Sequence, residues 1–390
     1  MKVRVPHYYD SFSCTGSACP DTCCVGWMIE IDDESYERFM KMEGEFGERI
    51  RKNILEREDG RFFALNENGR CAFLNQDNLC EMVVKLGDKS LCALCDNYPR
   101  VGEEYGDLRE MGLSLSCPEV SKLVFSSKEP IRFGEWFTEE EEPEIDYTKD
   151  ALFQVLMDLR DVLFGILQNR EMTIMERASL YIMMASNVQN VLDGDLDSNE
   201  MVREIAKIEE KFLNSEYLKK SLSSVKGTDC TITLDFLRNT FEFMDGLEII
   251  NEKWIHLFHD AKKWLFECET EQFSKAQQGF KTFDKEWEYI SEHLMVYYVY
   301  RYFMKMIFDG DLYSKAVMCV MALMVIREIN VTKWCQNNGE LSLEERIYAM
   351  YLFSKEIEHC EENMEQLVEE FWDKDIYQPQ SIINNMTNIL

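Results

Sequence analysis

The sequence is poor in positive charge, histidine, proline and long apolar runs. Its 42 Lys and Arg residues are opposed by 73 Asp and Glu residues, which gives a net charge of −31. Binding the phosphates of a nucleic acid requires a clustered basic surface, so this deficit excludes nucleic acid as a partner. An acidic surface would instead attract cationic proteins.

Long apolar runs are missing as well. The best candidate for a membrane span, residues 316–326, is only 11 residues long and lies between Lys315 and Arg327. That is too short to cross a bilayer and predicts a buried core helix instead. Residues 1–12 contain no apolar stretch of the signal-peptide type. We therefore expect a cytoplasmic protein with no membrane contact, in which cysteines stay reduced and serve metal or redox chemistry.

The glycine-rich loop of a Rossmann nucleotide site is also absent. Gly44 with Gly47, and Gly102 with Gly106, lie in charged surroundings and follow no apolar strand. A Rossmann-type methyltransferase is therefore not expected.

Helical periodicity dominates the chain beyond residue 148, where proline and glycine are scarce. Apolar stripes with helical spacing cover residues 151–167 and begin again near residues 172, 201, 232, 254, 273, 312, 343 and 362. We predict a mainly α fold, in which a small cysteine-rich metal-binding N-terminal domain (residues 1–128) precedes an α-helical bundle or array (149–390).

Between these predicted domains, residues 129–148 are interpreted as an exposed acidic linker. Pro130, Pro143 and the acidic run 139–142 support that interpretation. Within the N-terminal domain the patterns predict a short strand at 26–31, a helix at 35–56 and an extended segment at 61–65.

Cysteine is abundant in the first third of the chain. Nine of the 14 cysteines precede residue 118: Cys14, Cys19, Cys23, Cys24, Cys71, Cys80, Cys92, Cys95 and Cys117. Thiolates separated by two to four residues can surround one ion or cluster, and only His7 lies near them, so all-cysteine ligation is expected. The spacing does not distinguish an iron–sulfur cluster from zinc. A disulfide framework is disfavoured by the expected reducing compartment.

The adjacent pair Cys23 and Cys24 limits the arrangement. In an extended backbone neighbouring side chains point to opposite sides, so both are not expected to bind one tetrahedral ion. Either two metal sites share this segment, or one of the two thiols packs without a metal.

Several blocks resemble the flagellin lysine-N-methylase family, which belongs to a wider group named for a CxxCxxCC cysteine cluster. They are FSCTGSACPDTCCVGW (12–27), CAFL (71–74), CDNYPR (95–100), SLSCPE (114–119) and HLMVYYVYRYF (293–303). The resemblance implies methyl transfer from S-adenosylmethionine to lysine side chains of flagellin, with a [4Fe–4S] cluster held by the N-terminal cysteines. The opening spacing here is C-x4-C-x3-CC, which leaves the set of ligands open.

Such a reaction requires a neutral amine, whereas free lysine is protonated at pH 7. The site must therefore desolvate the ammonium or supply a base. Asp10, Asp21, Asp32 and Asp96 lie within or beside the cysteine motifs and fit turn or cap roles equally well. Of these, Asp10 and Asp32 are weak candidates for the catalytic base.

Two arginines and one tyrosine are candidates for contacts with the methyl donor. Arg301, within an aromatic stretch, and Arg100, after Tyr98 and Pro99, are predicted either to bind a carboxylate of the donor or of the protein, or to bridge the domains structurally. Both are also weak catalytic candidates. Tyr298 belongs to the aromatic stretch 297–303, which can attract a cation or simply pack as core.

A competing hypothesis from another class is a non-catalytic iron–sulfur or zinc-binding module. Such a protein would recognise a basic protein partner through its acidic surface.

Overall fold

Helices make up most of the structure, a computed structural model that describes residues 1–58, 60–139 and 145–390. The α-helices are α1 (Asp33–Met40), α2 (Gly44–Lys52), α3 (Glu81–Leu86), α4 (Ala93–Asn97), α5 (Pro118–Phe125), α6 (Ala151–Leu167), α7 (Ile174–Leu192), α8 (Ser198–Leu213), α9 (Ser215–Ser223), α10 (Cys230–Met244), α11 (Glu252–Glu267), α12 (Thr270–Phe283), α13 (Trp287–Tyr302), α14 (Met306–Asp309), α15 (Tyr313–Gln336), α16 (Leu343–Glu358), α17 (Glu361–Asp373) and α18 (Pro379–Ile389). The predicted mainly α fold class is confirmed.

The strands are few and short. They are β1 (Lys2–Pro6), β2 (Ile54–Arg57), β3 (Gly60–Phe63), β4 (Arg100–Glu104), β5 (Leu108–Leu113) and β6 (Phe133–Phe137). Among the described residues beyond 148, every α or β element is a helix.

The centre of the helical region is α15, which packs against α7, α11, α13 and α16. Nearly every side chain from Tyr313 to Thr332 is buried, because a helix that is apolar on all sides must lie inside its neighbours. The prediction of a buried core helix at 316–326 is confirmed. In the described parts of the chain, no helix combines the length and apolarity that a membrane crossing requires.

The N-terminal strand is part of a four-stranded sheet in the order β4-β5-β1-β6. Strand β1 runs parallel to β5 and antiparallel to β6. Hydrogen bonds from two helices, α13 and α6, connect the sheet to the helical region. Tyr300 of α13 donates from its hydroxyl to the carbonyl of Arg4 at 2.6 Å, and Arg160 of α6 makes two hydrogen bonds to Glu110 of β5, at 2.5 and 2.7 Å.

The segment 129–148, predicted as an exposed linker, contains strand β6. Val3 pairs with Trp136 across the β1–β6 ladder, so this part of the segment is a sheet edge rather than a free connection. Most of the predicted acidic run 139–142, together with Pro143, lies outside the described residues.

Two hydrophobic cores organise the chain. The larger core unites the helices with Tyr8 and with residues of β5 and α5. The smaller core is built from residues 29–92 and includes Phe39, Phe63 and Phe73, with Cys71 and Cys92 among its buried members. The cores therefore divide the chain differently from the predicted boundary at residue 128.

Local predictions in the first region were partly wrong. Among the described residues, the segment 26–31 that was expected to form a strand has one isolated bridge, at Glu30, and a second bridge lies just before it at Val25. The expected helix at 35–56 is broken into α1 and α2 by Gly44, whose positive φ of +84° interrupts helical geometry, and ends in strand β2. The extended segment predicted at 61–65 corresponds to β3.

Candidate metal centre

The thiols of Cys23 and Cys24 lie on the same side of the chain. Their sulfurs are 3.9 Å apart, because residues 23 and 24 form a turn instead of extended backbone. The prediction that they point to opposite sides is wrong. Two sulfurs bound to one tetrahedral zinc, at about 2.3 Å each, would be about 3.8 Å apart, so the turn allows both thiols to serve one centre.

Backbone pairing brings the second cysteine group to this turn. The N–H of Cys71 donates to the carbonyl of Cys24 at 2.8 Å, and Val25 forms a bridge with Arg70. Cys80 and Cys92 each occupy the residue before a short helix, α3 and α4 respectively. Backbone N–H groups at a helix start can stabilise a thiolate, which explains why cysteines occur at these positions.

Six thiols from these segments are electrostatically coupled. Burial raises the pKa of Cys71 to about 11, and the nearby Cys80, Cys92 and Cys23 raise it further. The hydrogen bond with Cys92 is the main cause of a strongly raised pKa at Cys95, which also interacts with Cys24; the same bond holds the pKa of Cys92 below its usual value.

Cys14, Cys19 and Cys117 lie at the border of this group. Cys14 is exposed, Cys19 is half-buried, and Cys117 is buried in the larger core at the start of α5. Burial raises the pKa of Cys117 to about 11, with contributions from Cys19 and Cys23. Cys23 therefore lies between both sets of thiols.

The donor set fits a sulfur-bound metal cluster. The donors are all sulfur, which suits zinc and iron–sulfur centres. Within the described residues no three cysteine sulfurs lie within 4.8 Å of one another. Four sulfurs about 3.8 Å apart would surround one zinc ion. A cluster requires a wider spread, since each iron takes its own cysteine, so the close pair Cys23 and Cys24 would supply one ligand to a cluster.

Two lysines from the helical region hold the cysteine turn. The ammonium of Lys355, on α16, donates to Asp21 at 3.1 Å and to the carbonyl of Thr22 at 2.8 Å, and its side chain is only 3% exposed. Lys253, on α11, reaches Asp21 at 3.2 Å and the carbonyl of Pro20 at 3.2 Å. The hydrogen bond with Cys24 raises the pKa of Cys23, and the charge of Lys355 opposes that rise.

An aromatic group lies next to the turn. Trp27 donates its indole N–H to the carbonyl of Cys23 at 2.9 Å, and its ring lies 4.5 Å from that of His359 and 5.9 Å from that of Tyr98. His359 hydrogen-bonds through Nε2 to Ser116 at 2.6 Å. Burial, together with the positive charges of Arg301 and Lys355, lowers the pKa of His359 to about 3. A positive charge is therefore disfavoured at this position.

The carboxylate of Glu358 forms an ion pair with Arg301, whose Nε–H donates a hydrogen bond to the hydroxyl of Tyr302. The side chain of Glu358 is 1% exposed and lies 3.2 Å from Arg301. It also accepts hydrogen bonds from the hydroxyls of Tyr297 (2.7 Å), Tyr302 (2.6 Å) and Ser354 (2.6 Å). The predicted contact of Arg301 with a carboxylate is thus made by the protein itself.

The other candidate residues have different surroundings. Arg100 lies over the rings of Tyr9 and Phe12, 5.8 and 5.6 Å from their centroids. Tyr298 is buried, and its hydroxyl has no hydrogen-bond partner among the described residues.

The two aspartate candidates are placed differently from each other. Asp32 caps α1 through Ser35 and also accepts from the N–H of Ala93, and although burial opposes it these hydrogen bonds hold its pKa below the usual value. Asp10 is exposed in a short 3-10 helix. Neither position identifies the catalytic base.

Sequence reasoning missed four residues beside the thiols: Trp27, Lys355, Glu358 and His359. Trp27 was within the quoted motif, and its place beside Cys23 was the available signal. The other three lie at the end of α16, more than 230 residues from the last N-terminal cysteine. The available signal for these three residues is the pairing of opposite charges, such as Arg301 with Glu358. The sequence alone does not show which charges pair, because the partners are distant along the chain.

The chain is similar to known proteins over part of its length. The model of the FliB lysine N-methylase C-terminal domain matches residues 160–384. A flagellar biosynthetic protein FliU of Salmonella muenchen is 30% identical over 141 residues, which cover 35% of this chain and 83% of that protein. No solved structure matches the chain.

Two proteins called lysine-N-methylase show a similar degree of likeness. They come from Salmonella typhimurium and Salmonella choleraesuis, and each is 29% identical over 141 residues. The matched stretch covers 35% of this chain and 35% of either relative.

Proposed function

Because the chain belongs to the FliB lysine N-methylase family, we propose that it is a protein-lysine N-methyltransferase that transfers methyl groups from S-adenosylmethionine to flagellin. We propose further that the N-terminal thiols bind a [4Fe–4S] cluster. The observation that carries the proposal is the position of His359, which lies beside the cysteine turn in surroundings that disfavour a positive charge.

This environment suits the acceptor amine. A lysine ammonium brought next to His359 would meet the same burial and the same cations, Arg301 and Lys355, that lower the histidine pKa. Its own pKa would fall, and the neutral amine needed for attack on a methyl group would be populated near pH 7. Rings of Trp27 and Tyr98 would cover the aliphatic part of the lysine and exclude water.

Glu358 has a positioning role in this proposal. Its hydrogen bonds with Tyr297 and Tyr302 fix two phenol groups, and its ion pair with Arg301 fixes that guanidinium beside them. The candidate ligands of the cluster are Cys23, Cys24, Cys71, Cys80, Cys92 and Cys95, with Cys14, Cys19 and Cys117 at the border; three of them would bind a cluster that keeps one iron open. A cluster with an iron free of protein ligands can bind the amino and carboxylate groups of S-adenosylmethionine.

Co-expression with flagellin tests the reaction. Mass spectrometry of flagellin is expected to show lysines heavier by one CH₂ group when the enzyme is present, and unmodified lysines with a Glu358→Gln variant that keeps its iron. Unmodified flagellin alongside a wild-type enzyme with a full complement of iron and sulfide would contradict the catalytic role and favour the non-catalytic module that binds basic partners.

A separate experiment tests the cofactors. Anaerobically purified protein is expected to be brown and to contain iron and sulfide. Addition of S-adenosylmethionine is expected to change the EPR or Mössbauer spectrum of the cluster. An unchanged spectrum at saturating donor would contradict donor binding at the iron, while colourless, folded protein free of iron and sulfide would contradict the cluster itself.

A further inference from the structure

An open groove lies on the helical region between α6, the end of α8 and the start of α9. Its volume is about 500 Å³, and its apolar lining includes Ile166 of α6, Phe212 and Leu213 of α8, and Leu218 of α9. Leu213 is 64% exposed although it is a large apolar side chain. All the described residues that line the groove fall within 158–218, so this apolar surface is separate from the candidate metal centre.

Gly165 leaves the α6 side of the groove without a side chain. It is exposed, its φ lies outside the left-handed region, and a Cβ built on it would have no atom within 4 Å. Glycine is less stable in a helix than alanine, and no contact within the described chain requires it here. A missing side chain allows another backbone to approach closely. The glycine therefore suits a partner that packs on α6 from outside the chain.

Carboxylates border the groove on both sides. Burial, and then the charge of Asp158 on α6, raise the pKa of Glu209 on α8, so these two acids face each other across the helices. A third acid, Asp161, already pairs with Arg4 at 3.1 Å. The described residues that line the groove include no lysine or arginine. A cation from a partner would relieve the repulsion between Asp158 and Glu209, so the groove complements a surface that is apolar at its centre and basic at its edge.

We propose that this groove binds an amphipathic helix of the protein whose lysines are methylated, with the apolar side of that helix on Phe212 and Leu213 and its lysine or arginine side chains beside the border carboxylates. The proposal rests on the proposed function, which supplies a protein substrate. Helices bind such grooves through apolar side chains spaced three or four residues apart, and Gly165 gives their backbone room. A second copy of this chain would fit poorly, because its net charge of −31 adds to an acidic border.

Binding of flagellin to the full-length protein, measured without S-adenosylmethionine, tests the proposal. Gly165→Trp fills the groove and is expected to weaken binding by about tenfold or more, because it displaces the apolar contacts at the centre of the surface. Gly134→Trp is the matched control with unchanged affinity, since Gly134 also has no atom within 4 Å of a built Cβ and lies on β6, outside the groove.

A second variant tests the charges and still decides if Gly165→Trp does not fold. Asp158→Asn with Glu209→Gln is expected to weaken binding by roughly threefold to tenfold at low salt and to reduce its dependence on salt. Glu365→Gln with Glu369→Gln, on exposed positions of α17, removes the same charge elsewhere and should leave affinity unchanged. A synthetic helical peptide with a leucine stripe flanked by lysines is expected to compete with flagellin, and the same peptide with glutamates in place of the lysines is not.

The docking surface and the reaction fail in different ways. No binding of flagellin to the wild type, or equal affinities of the wild type, Gly165→Trp and the double carboxylate variant, would overturn the docking proposal. Equal competition by both peptides would overturn the assignment of a basic helix. Flagellin that binds in a manner dependent on Gly165 but stays unmethylated would support the groove and contradict the methyltransferase. Methylation with the same KM in wild type and Gly165→Trp would support the methyltransferase and overturn the groove.

Discussion

The two hydrophobic cores differ in what fills them. In the helical region, most buried positions are taken by apolar side chains such as Leu323 and Phe353. In the small core of residues 29–92, the buried Cys71 and Cys92 stand beside phenylalanines, and further cysteines line its edge. A region of that size buries little apolar surface, so the proposed metal centre would add to its stability.

The border between the two regions is the contact of the cysteine turn with helices α11 and α16. Polar side chains lie at its centre. Asp21 is held by lysines from α11 and α16, and His359 lies against Trp27. Buried polar contacts fix one geometry more strictly than apolar packing does. Contacts from the helical region therefore hold the cysteine turn in one position. The stability of each region is expected to depend on the other.

The largest effect is expected from removing two thiols of the small core. Cys71→Ser with Cys92→Ser should abolish iron and sulfide binding and unfold the cysteine-rich region, while α15 and its neighbours stay folded. Structural metal sites contribute on the order of 10 kcal/mol to such small regions. Hydrogen exchange would show rapid exchange limited to residues before 118, and iron analysis would show the loss.

The matched control uses cysteines of the helical region. Cys268→Ser with Cys335→Ser alters two thiols outside the small core, Cys268 being buried and Cys335 half-buried. Iron and sulfide content should stay as in the wild type. A parallel loss of iron in this control, or rapid exchange throughout both regions in the first variant, would show that the two regions fold as one unit.

A smaller effect is expected from Lys355→Met. Among the residues that the structure describes, the substitution leaves the carboxylate of Asp21, 8% exposed, with Lys253 as its remaining ion-pair partner. Removing one member of a buried pair costs about 3 kcal/mol, so urea unfolding should show a loss of that order. Lys253→Met, whose side chain is 44% exposed, should cost about 1 kcal/mol or less. Equal losses from both variants would mean that burial of Lys355 does not matter.

Sequence reasoning succeeded where the signal was periodic. Helix α7 begins at Ile174 and α16 at Leu343, close to the predicted stripes, and the cause is visible in the chain: each follows a capping box, at Thr173 with Glu176 and at Ser342 with Glu345. The nine N-terminal cysteines also marked the region of the candidate centre.

The sheet and the border contacts could not be predicted in the same way. Strand β1 has five residues and pairs with segments that begin more than 100 residues later, so no local pattern reveals the partner. The inference that the thiols of Cys23 and Cys24 point to opposite sides was wrong because it assumed extended backbone, whereas these residues form a turn. Lys355 and His359 lie on a helix whose periodicity predicts burial but says nothing of which distant residue each one meets.

Gly26 provides a test of close approach between the two regions. It has a φ of +96°, and a Cβ there would lie 2.2 Å from the carbonyl oxygen of Ile250. Gly26→Ala should therefore push the cysteine turn away from the helical region and cost about 3 kcal/mol, of which roughly 1–2 kcal/mol is the positive-φ penalty. Gly44→Ala, with a φ of +84° and no atom within 4 Å, isolates that penalty. Similar unfolding midpoints for the two variants would show that the backbone at Ile250 moves to accommodate the added Cβ at little cost in stability.

The smallest effect concerns pH and the border residue His359. Its pKa in the folded protein is about 3, and an unfolded chain returns it to about 6.5. Because the unfolded state binds the proton first, the stability this group contributes is present above pH 6.5 and is lost as pH falls towards 3. Between pH 7 and pH 5 the wild type should lose about 2 kcal/mol that His359→Gln does not lose, since glutamine keeps a hydrogen bond to Ser116 without titrating. Urea unfolding at both pH values measures the difference, with the exposed His256→Gln as control. If His359→Gln and the wild type lose stability in parallel, the histidine is not held neutral at the border, and the argument that an acceptor lysine would be neutral beside it loses its support.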